Sequence, residues 1–207
     1  GSDSAGITGL VARKDGLIPI LKKDAPPLYK MRDVAHKAFD ENEDLAGYQL
    51  SDGKAEQSVI WQERDIWCRS RLDWMASDHS LILDYKSTAQ TASPEAAIRR
   101  IISMGYDIQA AHYMRGVVHV CKPPKPPKFV FMFQETVEPF AVSFIGMGAA
   151  ILDLGKSKIE AAIRTWRECM RSNNWPGYPN RICWPELPTW AESQWLNSSM
   201  ESEEGMA

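Results

Sequence analysis

The sequence lacks the clustered cysteines and histidines that bind zinc or iron–sulfur centres. Its cysteines stand far apart, with no CxxC spacing and no accompanying pair of histidines, at positions 68, 121, 169 and 183. Isolated thiols of this kind are typical of reduced, mostly buried cysteines and not of a disulfide framework. We therefore predict a cytoplasmic protein without a zinc or iron–sulfur site.

Long hydrophobic runs and an excess of basic charge are also absent. No apolar run approaches the ~20 residues that a membrane helix needs, so we expect no membrane partner. The chain has 24 basic and 27 acidic residues and a formal net charge of −3. This balance does not indicate a nucleic-acid-binding protein. It does not exclude a nuclease, which gathers acidic residues at a metal site and basic residues along a groove.

The apolar content of the chain, 44% of 207 residues, is sufficient for one domain with a substantial core. Hydrophobic periodicity predicts the order helix, three strands, two helices, two strands and helix. The predicted segments are 28–45, 58–62, 66–75, 81–86, 93–104, 106–117, 129–134, 140–145 and 148–172. This order predicts an α/β fold in which helices flank a mixed central sheet.

Three further segments surround the predicted core of residues 28–172. An N-terminal segment, 1–27, is weakly patterned, and the chain ends in an acidic tail, 201–207. The segment between, 173–200, holds four of the eight tryptophans and many prolines. We predict that this strap packs over the domain, because a disordered tail would not carry so many large aromatic residues. Its tryptophans could also stack on unpaired bases.

Two carboxylates and a lysine near predicted strand ends support a functional hypothesis. Side chains alternate along a strand, so Asp84 and Lys86 share one face and Tyr85 lies on the other. If the strand before it pairs with this one, Asp73 and Asp84 converge. Two close carboxylates repel each other unless a cation lies between them, and oxygen ligands suit magnesium or manganese. The pattern favours a metal-dependent phosphodiester nuclease; the alternative is a solvated charge pair at a strand end.

These residues belong to a longer series of motifs, Asp73, Asp84-x-Lys86 and Gln109-x-x-x-Tyr113. The series resembles the PD-(D/E)XK nuclease superfamily, in the branch with a downstream QxxxY motif. The surrounding RLD, DYKST and GYDIQ segments are most similar to the exodeoxyribonuclease VIII and lambda exonuclease families. The resemblance implies a restriction-endonuclease-like α/β/α core.

The resemblance also implies roles for the motif residues. Asp73, Asp84 and the backbone carbonyl of Tyr85 would be ligands of Mg²⁺ or Mn²⁺. Lys86 would orient or deprotonate the attacking water, and all three side chains would be catalytic. Gln109 and Tyr113 would line the cleft, where they would hold the DNA end or support the lysine.

One motif of these families is missing from the sequence. They carry an early metal ligand, a His or Glu on a helix near the start, and that pattern is not present here. Glu56 and His36 are the available substitutes, against the alternatives of a structural acid and an exposed helical histidine. We expect the helix that carries this motif to lie upstream, so that the N-terminal segment is truncated.

Several polar and basic residues are candidates for DNA binding. Ser87 and Thr88, at the strand end, are placed to hydrogen-bond a phosphate. Four arginines could contact the DNA backbone, with salt bridges or solvated surface as the alternative, namely Arg69, Arg71, Arg99 and Arg100.

The resemblance implies a metal-dependent exonuclease that hydrolyses phosphodiester bonds at double-stranded DNA ends, in the 5′→3′ direction, for recombination or repair. Such a protein would be bacterial or phage-encoded. It could act with a single-strand annealing protein and assemble as a homo-oligomeric ring. The alternative is a noncatalytic or truncated module with the nuclease fold that binds DNA or a recombination partner.

Overall fold

Five strands form one mixed sheet in the order β1-β2-β3-β4-β5. The structure is a computed structural model and describes residues 20–21 and 25–204, with side chains as far as residue 196. The strands are β1 Gly53–Glu63, β2 Ile66–Ala76, β3 Leu81–Thr88, β4 Lys128–Glu135 and β5 Val142–Gly146. The helices are α1 Ala25–Asp40, α2 Pro94–Ser103, α3 Tyr106–Cys121, α4 Ala149–Ser172 and α5 Thr189–Glu204. Most of the predicted N-terminal segment and the end of the acidic tail lie outside the described residues.

The sheet is antiparallel except at its centre, where β3 and β4 run parallel. A parallel pair needs a crossover connection, and α2 and α3 provide it between these two strands. Helices flank the sheet, so the predicted α/β fold with a mixed central sheet is confirmed.

Local sequence signals explain where the crossover helices begin and end. The Ser93 hydroxyl accepts a hydrogen bond from the Ala96 amide at 3.4 Å, and Pro94 is the first helical residue. Gly105 has φ of +70°, a conformation that favours glycine, and it separates α2 from α3. The predicted boundary between these two helices is therefore confirmed.

Each face of the sheet has its own hydrophobic core. On one face, α3 packs through Ala110 and Val117 against a row of buried phenylalanines from β4. The row is Phe129, Phe131 and Phe133. On the other face, Phe39 of α1 packs with Trp74 and Leu83. The α3 face carries the candidate active site, and the α1 face supports the strands from behind.

The first helix and the C-terminal region differ from their predictions. Helix α1 ends at Asp40 instead of residue 45, and Asn42 then caps a short 3₁₀ turn by accepting from the Asp44 amide. Helix α5 was not predicted, because the proline and tryptophan content of the strap indicated irregular structure.

The prediction that the strap packs over the domain also differs from the structure. Its large side chains are mostly exposed, with 83% of Trp184 and 69% of Trp190 accessible. Trp175 is partly covered, since its ring lies 5.0 Å from that of Trp166 on α4. Aromatic content was a poor guide to burial here, because one such contact does not cover the rest of the strap.

The sheet opens between β2 and β3. These strands pair where Trp74 lies opposite Leu83 and Met75 lies opposite Ile82, while β2 continues alongside β1 as far as Ile66. The β1–β2 hairpin therefore extends beyond its neighbour.

Within the described part of the chain, no helix is long and apolar enough to cross a membrane.

Candidate active site

Asp84 lies at the opening between β2 and β3 and is fully buried. Its Oδ2 accepts a hydrogen bond of 2.7 Å from Gln109 Nε2 on α3, and its Oδ1 forms an ion pair with Lys86 Nζ. Burial raises the pKa of Asp84 to about 6, the interaction with Lys86 opposes the rise, and the negative charge of Asp73 adds to it. The carboxylate is therefore held where a cation would stabilise it.

Asp73 reaches the same place from β2. Extending the β2–β3 register by one pair would set Asp73 opposite Asp84, but the strands have separated there. The Asp73 carboxylate fills the gap, with Oδ2 accepting from the Tyr85 amide at 2.9 Å. Because the N–H and C=O of a strand residue point to the same side, the Tyr85 carbonyl also faces this gap. The structure thus brings together Asp73, Asp84 and the backbone of Tyr85, as the sequence predicts.

Lys86 is held by aromatic rings as well as by Asp84. Its Nζ lies 4.9 Å from the centre of the Tyr106 ring and 5.5 Å from that of Phe131. Only 17% of the side chain is accessible. A cation over aromatic faces is stabilised electrostatically, so the ammonium group is fixed at the edge of the site.

Tyr113 occupies a different position from the one its motif suggests. Its ring packs edge-on against Phe129, with centroids 6.3 Å apart, at the β4 end that pairs with Ile82. The tyrosine beside Lys86 is instead Tyr106, which sequence analysis missed. Tyr106 is three residues before Gln109 on the same helical face, and this spacing was the available signal.

Neither of the two substitutes for an early metal ligand joins Asp73 and Asp84 in a group of three or more candidate ligand side chains among the described residues. Glu56 is exposed, has φ of +57° and pairs with Arg71, with Nε of the arginine 2.5 Å from Oε2 of the glutamate. His36 is exposed on α1, the helix that packs on the opposite face of the sheet. Their roles as ligands stay predictions that the geometry does not support.

The polar residues at the end of β3 face in different directions. Ser87 is exposed, whereas Thr88 is buried and its hydroxyl accepts from the Gln90 amide at 3.0 Å. Thr88 therefore shapes the turn after β3. Arg100 reaches the same loop, with Nη2 donating to Gln90 Oε1 at 2.7 Å, and Arg99 is exposed beside it.

A buried ion pair behind the site was also missed by sequence analysis. Asp107, in the first turn of α3, is fully buried and accepts from Lys158 Nζ of α4 at 2.6 Å. The two helices approach closely there because residue 155 is glycine, and a Cβ at Gly155 would lie 2.2 Å from the Asp107 carbonyl oxygen. This contact fixes the start of the helix that carries Gln109.

Gln134 supports the site from the other face. It is fully buried, and its Nε2 donates to the Met31 carbonyl of α1 at 2.9 Å. Its Oε1 accepts from the Tyr85 hydroxyl at 2.7 Å. Tyr85 is therefore held by its side chain on the α1 face while its backbone faces Asp73.

The donor set fits a hard divalent cation. Asp84 Oδ1 is buried, and Lys86 is the described partner that it has. With the Asp73 carboxylate and the Tyr85 carbonyl it provides oxygen ligands, which magnesium and manganese prefer. The described residues contain no group of three or more His, Cys, Asp or Glu side chains placed to bind a metal. Any ion here would therefore depend on two carboxylates and the backbone, with water completing its coordination.

Comparisons with known proteins show a nuclease-like family and fold for this chain. Residues 24–183 match the model of a family described as a PDDEXK-like domain of unknown function (DUF3799). The crystal structure of a protein from Eubacterium rectale, whose name describes it as a candidate exonuclease, superposes with a TM-score of 0.56 at 15% identity, covering 89% of this chain and 76% of that chain. At this identity the match shows a shared fold.

A second solved structure, SSO0001, is 13% identical with a TM-score of 0.35, covering 62% of this chain and 58% of that chain. The comparison with curated proteins found no significant match. The family match spans the sheet, the candidate site and α4. The chain therefore belongs to the PDDEXK-like family DUF3799, within the PD-(D/E)XK nuclease superfamily.

Proposed function

We propose that this protein is a divalent-metal-dependent deoxyribonuclease, an exonuclease that hydrolyses phosphodiester bonds at the ends of duplex DNA. The observation that supports this most is the convergence of Asp73, Asp84, Lys86 and Gln109 at the opening between β2 and β3. A merely structural ion pair would not need a second carboxylate beside it that accepts from the backbone of Tyr85.

The proposed reaction adds water across the P–O3′ bond. Hydroxide forms the new bond to phosphorus, the bond to the 3′ oxygen breaks, and the leaving oxygen takes up a proton. Lys86 has three N–H donors, one of them directed at Asp84, and the others can hold the attacking water and a phosphate oxygen. Gln109 keeps Asp84 in the orientation that directs Oδ1 into the gap.

Magnesium or manganese is the cofactor that the donor set fits. Asp73, Asp84 and the Tyr85 carbonyl would hold the ion. When bound, it would polarise the scissile phosphate and stabilise the charge that develops in the transition state. The proposed DNA contacts are Ser87 at the end of β3, Arg100 of α2, which reaches the loop after β3, and Arg69 and Arg71 on the hairpin.

The finer features of this proposal follow from the resemblance described above. They are 5′→3′ polarity, a role in recombination or repair, a ring of identical chains and an annealing partner. The second candidate function is a noncatalytic module that binds DNA. It is favoured by the position of Glu56, because this glutamate pairs with Arg71 and does not complete the carboxylate group.

Cleavage of labelled linear DNA tests the proposal. The wild-type chain, Asp84→Asn and Lys86→Met are incubated with blunt duplex DNA labelled at the 5′ or 3′ end, in magnesium, manganese or EDTA. Release of label by the wild type, dependent on metal and lost in both variants, is the expected result. The end from which label is released first gives the polarity.

A substitution outside the site controls for loss of folding. Lys156→Met removes a lysine that pairs with Asp153 on the exposed surface of α4, and it should cleave like the wild type. Binding of DNA without cleavage in either metal would contradict the nuclease proposal and support the noncatalytic module.

A further inference from the structure

Asp107 is a buried carboxylate that the proposed reaction does not use. It is fully buried in the first turn of α3, and its Oδ2 accepts from Lys158 Nζ of α4 at 2.6 Å. Its other oxygen, Oδ1, is buried and has no hydrogen-bond partner among the described residues. Removing two charges from water costs free energy, and a buried oxygen without a partner adds to that cost.

Stability of the fold does not by itself account for this ion pair. A buried ion pair can often be replaced by apolar residues of similar volume without loss of stability. An acidic residue in the first turn of a helix does interact favourably with the helix dipole, but an exposed carboxylate does so as well. The burial of Asp107 therefore needs a second reason, and its neighbours in α3 provide one.

The two residues of α3 that contact the candidate site lie on either side of Asp107 in the sequence. Tyr106 precedes it, and the centre of the Tyr106 ring lies 4.9 Å from Lys86 Nζ. Gln109 follows it, and its Nε2 donates to Asp84 Oδ2 at 2.7 Å. Residues three apart share one side of a helix, so Tyr106 and Gln109 point together into the site while Asp107 points towards α4.

Helix α4 approaches the first turn of α3 closely beside this ion pair. A Cβ at Gly155 would lie 2.2 Å from the Asp107 carbonyl oxygen and 2.9 Å from the Ala111 Cβ. Lys158 is three residues further along α4, on the same side of that helix, and 37% of its side chain is accessible. The glycine allows the two backbones to touch, and the lysine holds the carboxylate at that point.

We propose that Asp107 and Lys158 are positioning residues of the candidate active site. Their ion pair sets the rotation and the axial position of the first turn of α3, and thereby the contacts that Tyr106 and Gln109 make in the site. Neither residue touches the substrate, so neither is a catalytic residue. The kinetic consequence of this inference rests on the proposed nuclease function, whereas its structural consequence is present in the metal-free protein.

The side-chain amide of Gln109 reports this positioning without metal or DNA. In ¹⁵N-labelled protein in EDTA, its two proton signals are identified by their absence in Gln109→Ala. Lys158→Met leaves a buried carboxylate without its cation, so the first turn of α3 should move. Both Gln109 signals should then shift towards those of a solvent-exposed glutamine and exchange faster with water. Lys158→Arg, which keeps the charge, should retain the wild-type signals.

An apolar replacement of the pair separates positioning from stability. The double variant Asp107→Leu, Lys158→Met should melt close to the wild-type temperature, because no unpaired charge remains buried. Its Gln109 signals should nevertheless shift, since the ion pair that sets the first turn of α3 is gone. Asp153→Asn is the matched control, because Asp153 pairs with Lys156 on the exposed surface of the same helix α4. It should change neither the signals nor the melting temperature.

Cleavage of duplex DNA measures the consequence for the proposed function. Lys158→Met and the double variant should lower kcat/KM at low magnesium by about 10- to 100-fold, the range for residues that orient metal ligands. Because the pair acts partly through Gln109, the effects should not be additive. Adding Lys158→Met to Gln109→Ala should lower kcat/KM by a smaller factor than Lys158→Met does alone.

Four results would overturn the inference. These are wild-type Gln109 signals in Lys158→Met, equal effects of Lys158→Met and Lys158→Arg, full additivity with Gln109→Ala, and unfolding of the double variant, which would assign the pair to stability. The amide signals are measured without cleavage, so the two proposals can fail separately. Shifted signals in a protein that does not cleave DNA contradict only the proposed function, and cleavage with unshifted signals contradicts only this inference.

Discussion

Gln109 Nε2 donates to Asp84 Oδ2 at 2.7 Å, and this bond joins the crossover helix α3 to the end of the buried strand β3. Asp84 is fully buried, so the amide replaces water that the carboxylate would otherwise bind. The other oxygen, Oδ1, is left to the gap beside Asp73 and Lys86. One hydrogen bond thus determines which carboxylate oxygen faces the proposed cation.

Gln109→Ala should therefore reduce DNA cleavage without unfolding the protein. Residues that orient metal ligands typically contribute 10- to 100-fold to metal affinity or activity. We expect a loss of about that size in kcat/KM at low magnesium, with partial recovery at high magnesium. Gln49→Ala, at an exposed glutamine whose Oε1 accepts from Ser51, is the control. An equal loss at all magnesium concentrations would argue against an orienting role.

Divalent cations should raise the melting temperature of the wild-type protein. An ion that binds only the folded state at ten times its Kd stabilises by about 1.4 kcal/mol. For a domain of this size that corresponds to roughly 3–6 °C. The double variant Asp73→Asn, Asp84→Asn should lose the shift. Melting curves in EDTA, calcium, magnesium and manganese measure it, and a shift that persists in the double variant would place the ion elsewhere.

The ion pair of Glu63 and Arg115 should make stability depend on acidic pH. Burial alone would raise the pKa of Glu63, but hydrogen bonds from Arg115 and Trp61 outweigh it and lower the pKa below 4.5. A carboxyl group with a lowered folded pKa stabilises above its unfolded pKa, and this contribution disappears as pH falls through the folded value.

Glu63→Gln should accordingly lower the free energy of unfolding at pH 7 by about 1–3 kcal/mol, because charged hydrogen bonds are lost. The difference from wild type should shrink at pH 3. Urea unfolding at both pH values measures it. Glu168→Gln, in an exposed pair with Arg171, is the control and should change little. A difference that stays constant with pH would contradict the assignment.

Gly155→Ala should destabilise the protein and weaken catalysis together. The added Cβ would lie 2.2 Å from the Asp107 carbonyl oxygen, so α3 and α4 must separate. Overpacking of this kind costs about 1–3 kcal/mol, or roughly 2–12 °C in melting temperature. Gly47→Ala, where nothing lies within 4 Å of the new Cβ, is the control. An unchanged melting temperature would show that the helices can adjust.

The sequence predicted the sheet and the carboxylates because both depend on local alternation. Asp84 and Lys86 share a face wherever β3 forms a strand, and Asp73 joins them once the hairpin order is known. Which tyrosine of α3 lies beside Lys86, Tyr106 or Tyr113, does not follow from the local sequence. Both lie on the same side of α3 as Gln109, and only the packing of α3 along β4 sets Tyr106 beside Lys86 and Tyr113 beside Phe129.

The C-terminal region illustrates a second limit. Tryptophan content predicted burial of the strap, but a side chain is buried only where a complementary surface covers it. Trp175 has such a surface, because its ring packs against that of Trp166 on α4. Likewise, the hydrophobic periodicity of the sequence does not predict that residue 155 must be small. That requirement comes from how closely α4 approaches the first turn of α3.

Because β2 and β3 separate, backbone amides on the two sides of this opening should differ in their rates of hydrogen exchange. The amides of β2 before Asp73 that point towards β3 have no ladder partner there, so they should exchange with solvent sooner than those of β3, which pairs with β4 along its whole length. The hairpin is attached mainly by packing, with the Trp61 ring against Gly116 of α3. Slow solvent exchange of the β2 amides that point towards β3 would therefore report this side-chain contact and not a β2–β3 ladder.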